Sequence, residues 1–213
     1  MGLLIGIKGI KRSGKDTIAN ILINHYDFIR ISFADALYEE VANLFGVTVA
    51  FLRADNTKEK ALKELELSKI LNKEPAFVQY CMTELGMYLT WPQSPRRVLQ
   101  EYGNWKRGVV SETYWVDKVL DVIKTQPDKN FCIADVRYKN EFYLVDQNGV
   151  TVEVYCEPIY DRWYQAYIKG EPTACHISET DLMHVTPQFK LINQWGDMSV
   201  LENAVHALMK ELM

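Results

Sequence analysis

Gly9-Ile10-Lys11-Arg12-Ser13-Gly14-Lys15-Asp16-Thr17 is the stretch that decides the fold. Ahead of it runs Leu3-Leu4-Ile5-Gly6-Ile7-Lys8, which is apolar and too short for a helix, and so reads as a buried strand. Behind it, residues 16–26 place Ile18, Ile21 and Leu22 on one helical face. A strand, a G-x-x-x-x-G-K turn and a helix make a phosphate-binding arrangement. The glycines let successive N–H groups turn toward phosphate oxygens, and the helix start adds the positive end of its dipole. Lys15 then reaches the outer phosphates as a point charge.

Working outward, the alternating run 28–33 predicts a second strand, and 34–45 returns to helical spacing before Gly46. From 57 to 123 no convincing strand occurs; helical stretches are expected over 57–71, 75–89, 95–107 and 112–125, so 50–125 reads as a helical insertion. Strands resume at 131–134 and 150–155 around a helix over 138–147 that Gly149 closes. Residues 157–180 carry Pro158, Gly170 and Pro172 without apolar periodicity, the profile of a lid-like loop. A last strand at 189–192 and a helix over 200–212 complete the chain. The expected architecture is one α/β domain over 1–213, a parallel sheet flanked by helices with an insertion and a lid.

Composition limits the partners. The 213 residues are 48% hydrophobic, which excludes a disordered or low-complexity chain, and suit one domain with an insertion. With 24 Lys and Arg against 28 Asp and Glu the net charge is -4, which argues against a polynucleotide or anionic-membrane binder. Phosphate chemistry must therefore come from local basic clusters. Cys81, Cys132, Cys156 and Cys175 form no CxxC pair, and reduced thiols in a cytoplasmic protein are expected. Cys175, His176 and His184 match no common zinc spacing. No basic segment precedes the first apolar run and no run of about 18 apolar residues occurs, so neither a signal peptide nor a membrane span is expected.

Four clusters carry candidate chemistry. In the first, Asp16 stands where a phosphate loop usually has Ser or Thr, and a hydroxyl follows in Thr17. A carboxylate is a hard donor suited to magnesium; the alternative is an acid favoured in a first helical turn. The second is Ser94-Pro95-Arg96-Arg97-Val98-Leu99-Gln100-Glu101-Tyr102-Gly103-Asn104-Trp105-Lys106-Arg107, with 4 basic residues in the 12 from Arg96 onward. In an acidic chain this points to an anion joined to an aromatic base, against the alternative of a solvated basic face. In the third, Asp135 and Arg137 follow the apolar strand and so face the ligand crevice of a parallel sheet, with Glu141 beyond them; an ion pair at the strand end is the other reading. The fourth is the lid, where Arg162 could cover a transferring phosphoryl group. His176 and Ser178 read equally as a surface histidine and a helix cap, and Trp163, Tyr164 and Tyr167 read as packing residues.

Together these segments resemble the bacteriophage deoxynucleoside monophosphate kinases, within the P-loop nucleoside monophosphate kinases. The resemblance rests on Gly-x4-Gly-Lys-Asp-Thr at 9–17, Ser-Phe-Ala-Asp-Ala-Leu at 32–37, Ser-Pro-Arg-Arg-x-Leu-Gln at 94–100 with Gly103, and Tyr-Trp-Val at 114–116. It continues through Asp-x-Arg-x3-Glu at 135–141, His-x-Ser-Glu at 176–179, and Asn193 with Gly196. It implies a P-loop NTPase fold, ATP and Mg2+, transfer of a γ-phosphoryl group to a deoxynucleoside 5′-monophosphate, and commonly a homodimer. Lys11, Arg12, Ser13, Gly14, Lys15, Asp16, Thr17 and Asn193 would then bind ATP, with Asp16, Thr17 and Asp135 toward the metal. Phe33, Asp35, Arg96, Arg97, Gln100, Gly103, Trp105, Arg107 and Trp115 would bind the acceptor, with His176 and Glu179 from the lid. Lys15, Asp16, Asp135, Arg137, Glu141 and Arg162 would form the reaction centre. Asn104 departs from the Thr that this family tends to have there. The rival readings are a P-loop kinase of phosphomevalonate or dephospho-coenzyme A, and a noncatalytic ATP-binding module.

Overall fold

A computed structural model describes residues 2–213. Five strands form an all-parallel sheet in the order β2-β3-β1-β4-β5: β1 Leu4–Lys8, β2 Phe28–Ile31, β3 Asn130–Ile133, β4 Val150–Tyr155 and β5 Phe189–Ile192. Parallel neighbours need crossovers, and helices supply them: α1 Lys15–Tyr26 leads from β1 to β2, and α7 Lys139–Asn148 leads from β3 to β4. Right-handed crossovers running in opposite directions along the sheet place α1 and α7 on opposite faces. The chain therefore diverges at the carboxyl ends of the adjacent strands β1 and β3, the point where open α/β sheets hold ligands. Ile5 and Ile7 of β1 pack with Ile18, Ile21 and Leu22 of α1 and Leu201 and Val205 of α11 (Met198–Leu212).

The chain divides into two compact units, Met1–Phe33 with Val119–Met213, and Ala34–Lys118. Beside the expected insertion at 50–125, the compact helical unit starts earlier and ends sooner. The reason is α2 (Phe33–Phe45), whose Val41, Ala42 and Phe45 belong to the core of the helical unit with Leu52, Phe77, Val98, Tyr102 and Trp105. That unit also holds α3 Val49–Arg53, α4 Pro75–Thr83 and α5 Pro95–Trp105, and α6 Tyr114–Thr125 begins in it.

Two expected elements differ. The helix expected over 57–71 is two short 3-10 turns, Lys63–Leu65 and Leu67–Lys69. Leu65, Leu67 and Ile70 are all fully buried, and residues two apart cannot share one face of an α-helix. The reverse correction applies to the lid. Its first half is α8 Glu157–Ile168, followed by α9 Pro172–Cys175 and α10 Ile177–Thr180. The ordering signal was aromatic rather than aliphatic: Tyr160 stacks with Tyr164 at 6.2 Å and Trp163 with Tyr167 at 5.5 Å, both four residues apart. Among the described residues no helix is long and apolar enough to cross a membrane.

Candidate functional site

In the sheet unit the site begins where β1 ends. Residues 9–14 form the turn and Gly14 is the N-cap of α1. Gly9 (φ 153°) and Gly14 (φ 115°) both lie in the region that favours glycine. A side chain at Gly9 would meet Ser13 Oγ and the Val154 carbonyl; one at Gly14 would lie 2.6 Å from Asn193 Nδ2. That amide donates to the Ser13 carbonyl at 2.7 Å, so the loop after β5 clamps the glycine turn. Asn193, expected near ATP, thus acts through the loop backbone.

Lys15 opens α1 and folds over the turn, its Nζ donating to the carbonyls of Gly9 (2.6 Å) and Ile10 (2.8 Å). Burial, and after it the Arg137 guanidinium, together bring its pKa down from 10.5 to about 8, against the raising effect of Glu179, Asp16 and Asp135. The four partners show that the first and third sequence clusters converge with Glu179 on one ammonium. Asp135 Oδ2 accepts from Ser32 Oγ at 2.5 Å, and Asp16 pairs with Arg30 while its side chain stays 75% exposed. Arg137 Nη1 donates to Glu179 Oε1 at 3.1 Å, half-answering the expectation of an ion pair: the partner comes from the lid segment, not from Asp135.

Glu141, expected in the reaction centre, lies in the first turn of α7. It is 3% exposed, and its Oε2 accepts from the N–H groups of Arg137 (2.8 Å) and Tyr138 (3.1 Å). It is built into the strand-to-helix turn and holds the backbone that carries Arg137. His176 likewise caps α10, its Nδ1 accepting from the Ser178 N–H at 3.2 Å.

Two cavities flank the turn. One of about 400 Å3 is lined by Gly9, Ile10 and Arg137 on one side and by Tyr155, Tyr160 and Trp163 on another. The second, about 390 Å3, brings Lys11, Arg12 and Arg162 together with Trp163 and Trp195. Arg162 lies 5.4 Å from the Trp195 ring centroid, a cation–π contact, and its Nε donates to the Pro158 carbonyl. Trp195 was not foreseen; an aromatic two residues after Asn193 is its only sequence trace.

The polyphosphate fits this donor set. Gly9 and Gly14 leave no side chain over the turn, the N-terminus of the 12-residue α1 faces it, and Lys15 supplies the charge. Ser13 Oγ is buried without a hydrogen-bond partner, an unsatisfied hydroxyl beside the same turn. For magnesium, Asp16, Thr17 and Asp135 offer hard oxygen donors. Among the described residues no group of three or more His, Cys, Asp or Glu is placed to hold a metal ion.

The helical unit carries the second cluster. Ser94 Oγ accepts from the Arg97 N–H at 3.2 Å and caps α5, along which Arg96, Gln100 and Gly103 recur at helical spacing, and Arg107 follows in a π-helical turn, Lys106–Val110. Arg96 pairs with Glu59, and Asp35 pairs with Arg53 at 2.6 Å, a partner that sequence reasoning missed. Gly103, Trp105 and Trp115, expected against the acceptor, are interior: Trp115 is 2% exposed and its Nε1 donates to the Gly103 carbonyl. Phe33, at the end of the sheet unit, is buried as well. Of the same set, Arg96, Arg97 and Gln100 are exposed and Arg107 is half-buried. Lys106 sits 4.9–5.1 Å from the ring centroids of Tyr102, Trp105 and Tyr114 and pairs with Glu74, fixing the turn from which Arg107 emerges.

Burial pushes Cys81 up to about 12 and Cys132 up to about 11, and all four cysteines are free.

No protein-family model matches the chain, and no curated protein matches it. A solved crystal structure, TT1252 from Thermus thermophilus, is similar over 100% of this chain and 98% of its own, with a TM-score of 0.51 and 14% identity. At that identity the likeness shows the fold alone: a mixed α/β architecture with a five-stranded parallel sheet flanked by helices, consistent with a P-loop-like fold.

Proposed function

We propose that the protein is a kinase that uses ATP and magnesium to phosphorylate a deoxynucleoside 5′-monophosphate, yielding the diphosphate and ADP. The observation that carries this reading is geometric: Lys15 at the head of α1 folds over the glycine turn, and Arg137, held by Glu179, lines the same cavity as Gly9 and Ile10 of that turn. When bound, ATP supplies the phosphoryl group and magnesium offsets charge on its oxygens. Ser13, Gly14 and Lys15 would hold the polyphosphate, and Asp16, Thr17 and Asp135 the metal or its waters. Lys11, Arg12 and Arg162, with the Trp195 ring, form a cationic and aromatic recess suited to the donor nucleotide. Arg96, Arg97, Gln100 and Arg107 would hold the acceptor monophosphate, as the resemblance implies.

Such chemistry needs little covalent participation, because positioning and charge stabilisation account for most of the rate. Lys15 and Arg137 are the groups best placed for this, and one arginine acting on the transition state contributes roughly 10³ to 10⁵ in rate. The test is a steady-state panel of dAMP, dGMP, dCMP, dTMP and modified pyrimidine nucleotides with ATP and magnesium, read by coupled ADP release. At least one acceptor should raise ATP consumption well above background, and Lys15→Ala and Arg137→Ala should abolish that rise while remaining folded. No response to any nucleotide, with a response to dephospho-coenzyme A or phosphomevalonate, would transfer the protein to another kinase class.

A further inference from the structure

At its carboxyl end β1 breaks its apolar pattern with Lys8, which is only 6% exposed. Parallel register sets Lys8 opposite Glu153 of β4, and Glu153 opposite Lys190 of β5. The three side chains form a charge ladder across three strands, with Lys8 Nζ 3.4 Å and Lys190 Nζ 3.9 Å from the two Glu153 oxygens. The ends of the ladder differ. Lys190 is exposed and lies 4.3 Å from the Tyr155 ring centroid, whereas Lys8 also donates to the carbonyls of Leu182 (3.1 Å) and Val185 (3.0 Å). Two carbonyls accept from the ammonium and one carboxylate pairs with its charge.

A buried ammonium is tolerated only when it is paired and hydrogen-bonded, and an apolar side chain of similar length would avoid that desolvation. What Lys8 does that a methionine could not is grip residues 182–185. This strap continues from α10, whose Glu179 holds Arg137. Between those points Asp181 Oδ2 accepts from the Lys139 N–H at 2.8 Å, at the first turn of α7. Residues 179–185 are therefore tied down at three places, unlike a freely moving lid.

We propose that Lys8 is a positioning residue of the reaction centre: by clamping the carbonyls of Leu182 and Val185 it holds the strap 179–185 against the sheet, and through Glu179 it fixes Arg137 beside the glycine turn. The catalytic half of this statement rests on the kinase reading; the clamp itself does not.

The test pairs hydrogen exchange with kinetics on the full chain. In Lys8→Met, amides of 177–185 should lose protection while strand amides keep theirs. The kcat should fall about tenfold to a hundredfold, the scale of a misplaced catalytic group, with KM for ATP changed less than about threefold. Lys190→Met, which removes the exposed end of the ladder, should leave kcat within about twofold. A Lys8→Met protein with a lower thermal midpoint, but wild-type exchange at 177–185 and wild-type kcat per folded molecule, would reduce Lys8 to a stabilising contact and overturn the proposal. Should Lys8→Met fail to fold, wild-type exchange decides: 177–185 must exchange at least about tenfold more slowly than 169–173, and equal rates refute the clamp. If wild type shows no acceptor-dependent turnover, the kinase reading fails separately, and the exchange comparison still judges Lys8.

Discussion

The Lys15 ammonium sits where burial, and after it the Arg137 guanidinium, disfavour positive charge, so its pKa falls from 10.5 to about 8. Between those values the unfolded chain holds more proton at this site than the folded one. Stability contributed here therefore rises with pH across that window and is flat below it, where both states are protonated. A bound polyphosphate reverses the local field and favours the ammonium. ATP binding near pH 9 should then take up close to one proton, measured by calorimetry in two buffers of unequal ionisation enthalpy, and Lys15→Met should take up none. Wild-type binding without proton uptake would remove Lys15 from the phosphates. Trp115 belongs to the same scale. Being interior, it should cost about 3–5 kcal/mol on Trp115→Ala in urea unfolding, while Trp115→Phe should keep acceptor KM near wild type. A large rise in KM with unchanged stability would restore it to the binding surface. A sequence shows that a tryptophan is present; only packing shows that its ring faces inward.

Among the elements, α7 shows how a residue can be legible in position while its contacts are not. Asp135, Arg137 and Glu141 stand out at the end of an apolar strand, yet the carboxylate of Glu141 is spent on the N–H groups of Arg137 and Tyr138. Glu141→Gln weakens two charge-assisted bonds in a buried turn and should lower stability by about 1.5–3 kcal/mol. Turnover should fall far less than in Arg137→Ala. Equal losses in coupled assays of folded protein would return Glu141 to the chemistry. The helix α8 makes the converse point. Its aliphatic pattern is poor, and its order comes from rings at i and i+4 together with Ile159 packed inward. Similarly, the charged run 57–71 has helical propensity, but burial of Leu65, Leu67 and Ile70 overrides it.

For the whole molecule, the two units have separate apolar cores: Ile5, Ile7, Ile18 and Leu22 centre one, and Phe77, Tyr102, Trp105 and Trp115 centre the other. Phe77 packs edge-on to Tyr102 at 5.1 Å and lies 5.4 Å from Trp105. Phe77→Ala should destabilise the helical unit by about 3–5 kcal/mol and speed hydrogen exchange within 34–118 more than within the strands. Equal acceleration everywhere would show one cooperative core. The charge of -4 also reads differently at this scale, since the cations expected to serve phosphates are divided between the units: Lys11, Arg12, Lys15, Arg137 and Arg162 in one, Arg96, Arg97 and Arg107 in the other.

Local sequence alone determined the glycine turn, the strands around it and the parallel α/β class. Each of these follows from short-range rules: backbone freedom at Gly9 and Gly14, the length of apolar runs, and the need of parallel strands for crossover helices. Tertiary structure decided which conspicuous residues face a ligand and which are interior, because that depends on partners far away in the chain. Lys8 is the clearest case. In the sequence it is one charge ending an apolar strand; in the fold it meets carbonyls 174 and 177 residues away, and a buried ammonium can exist only where such partners are brought to it.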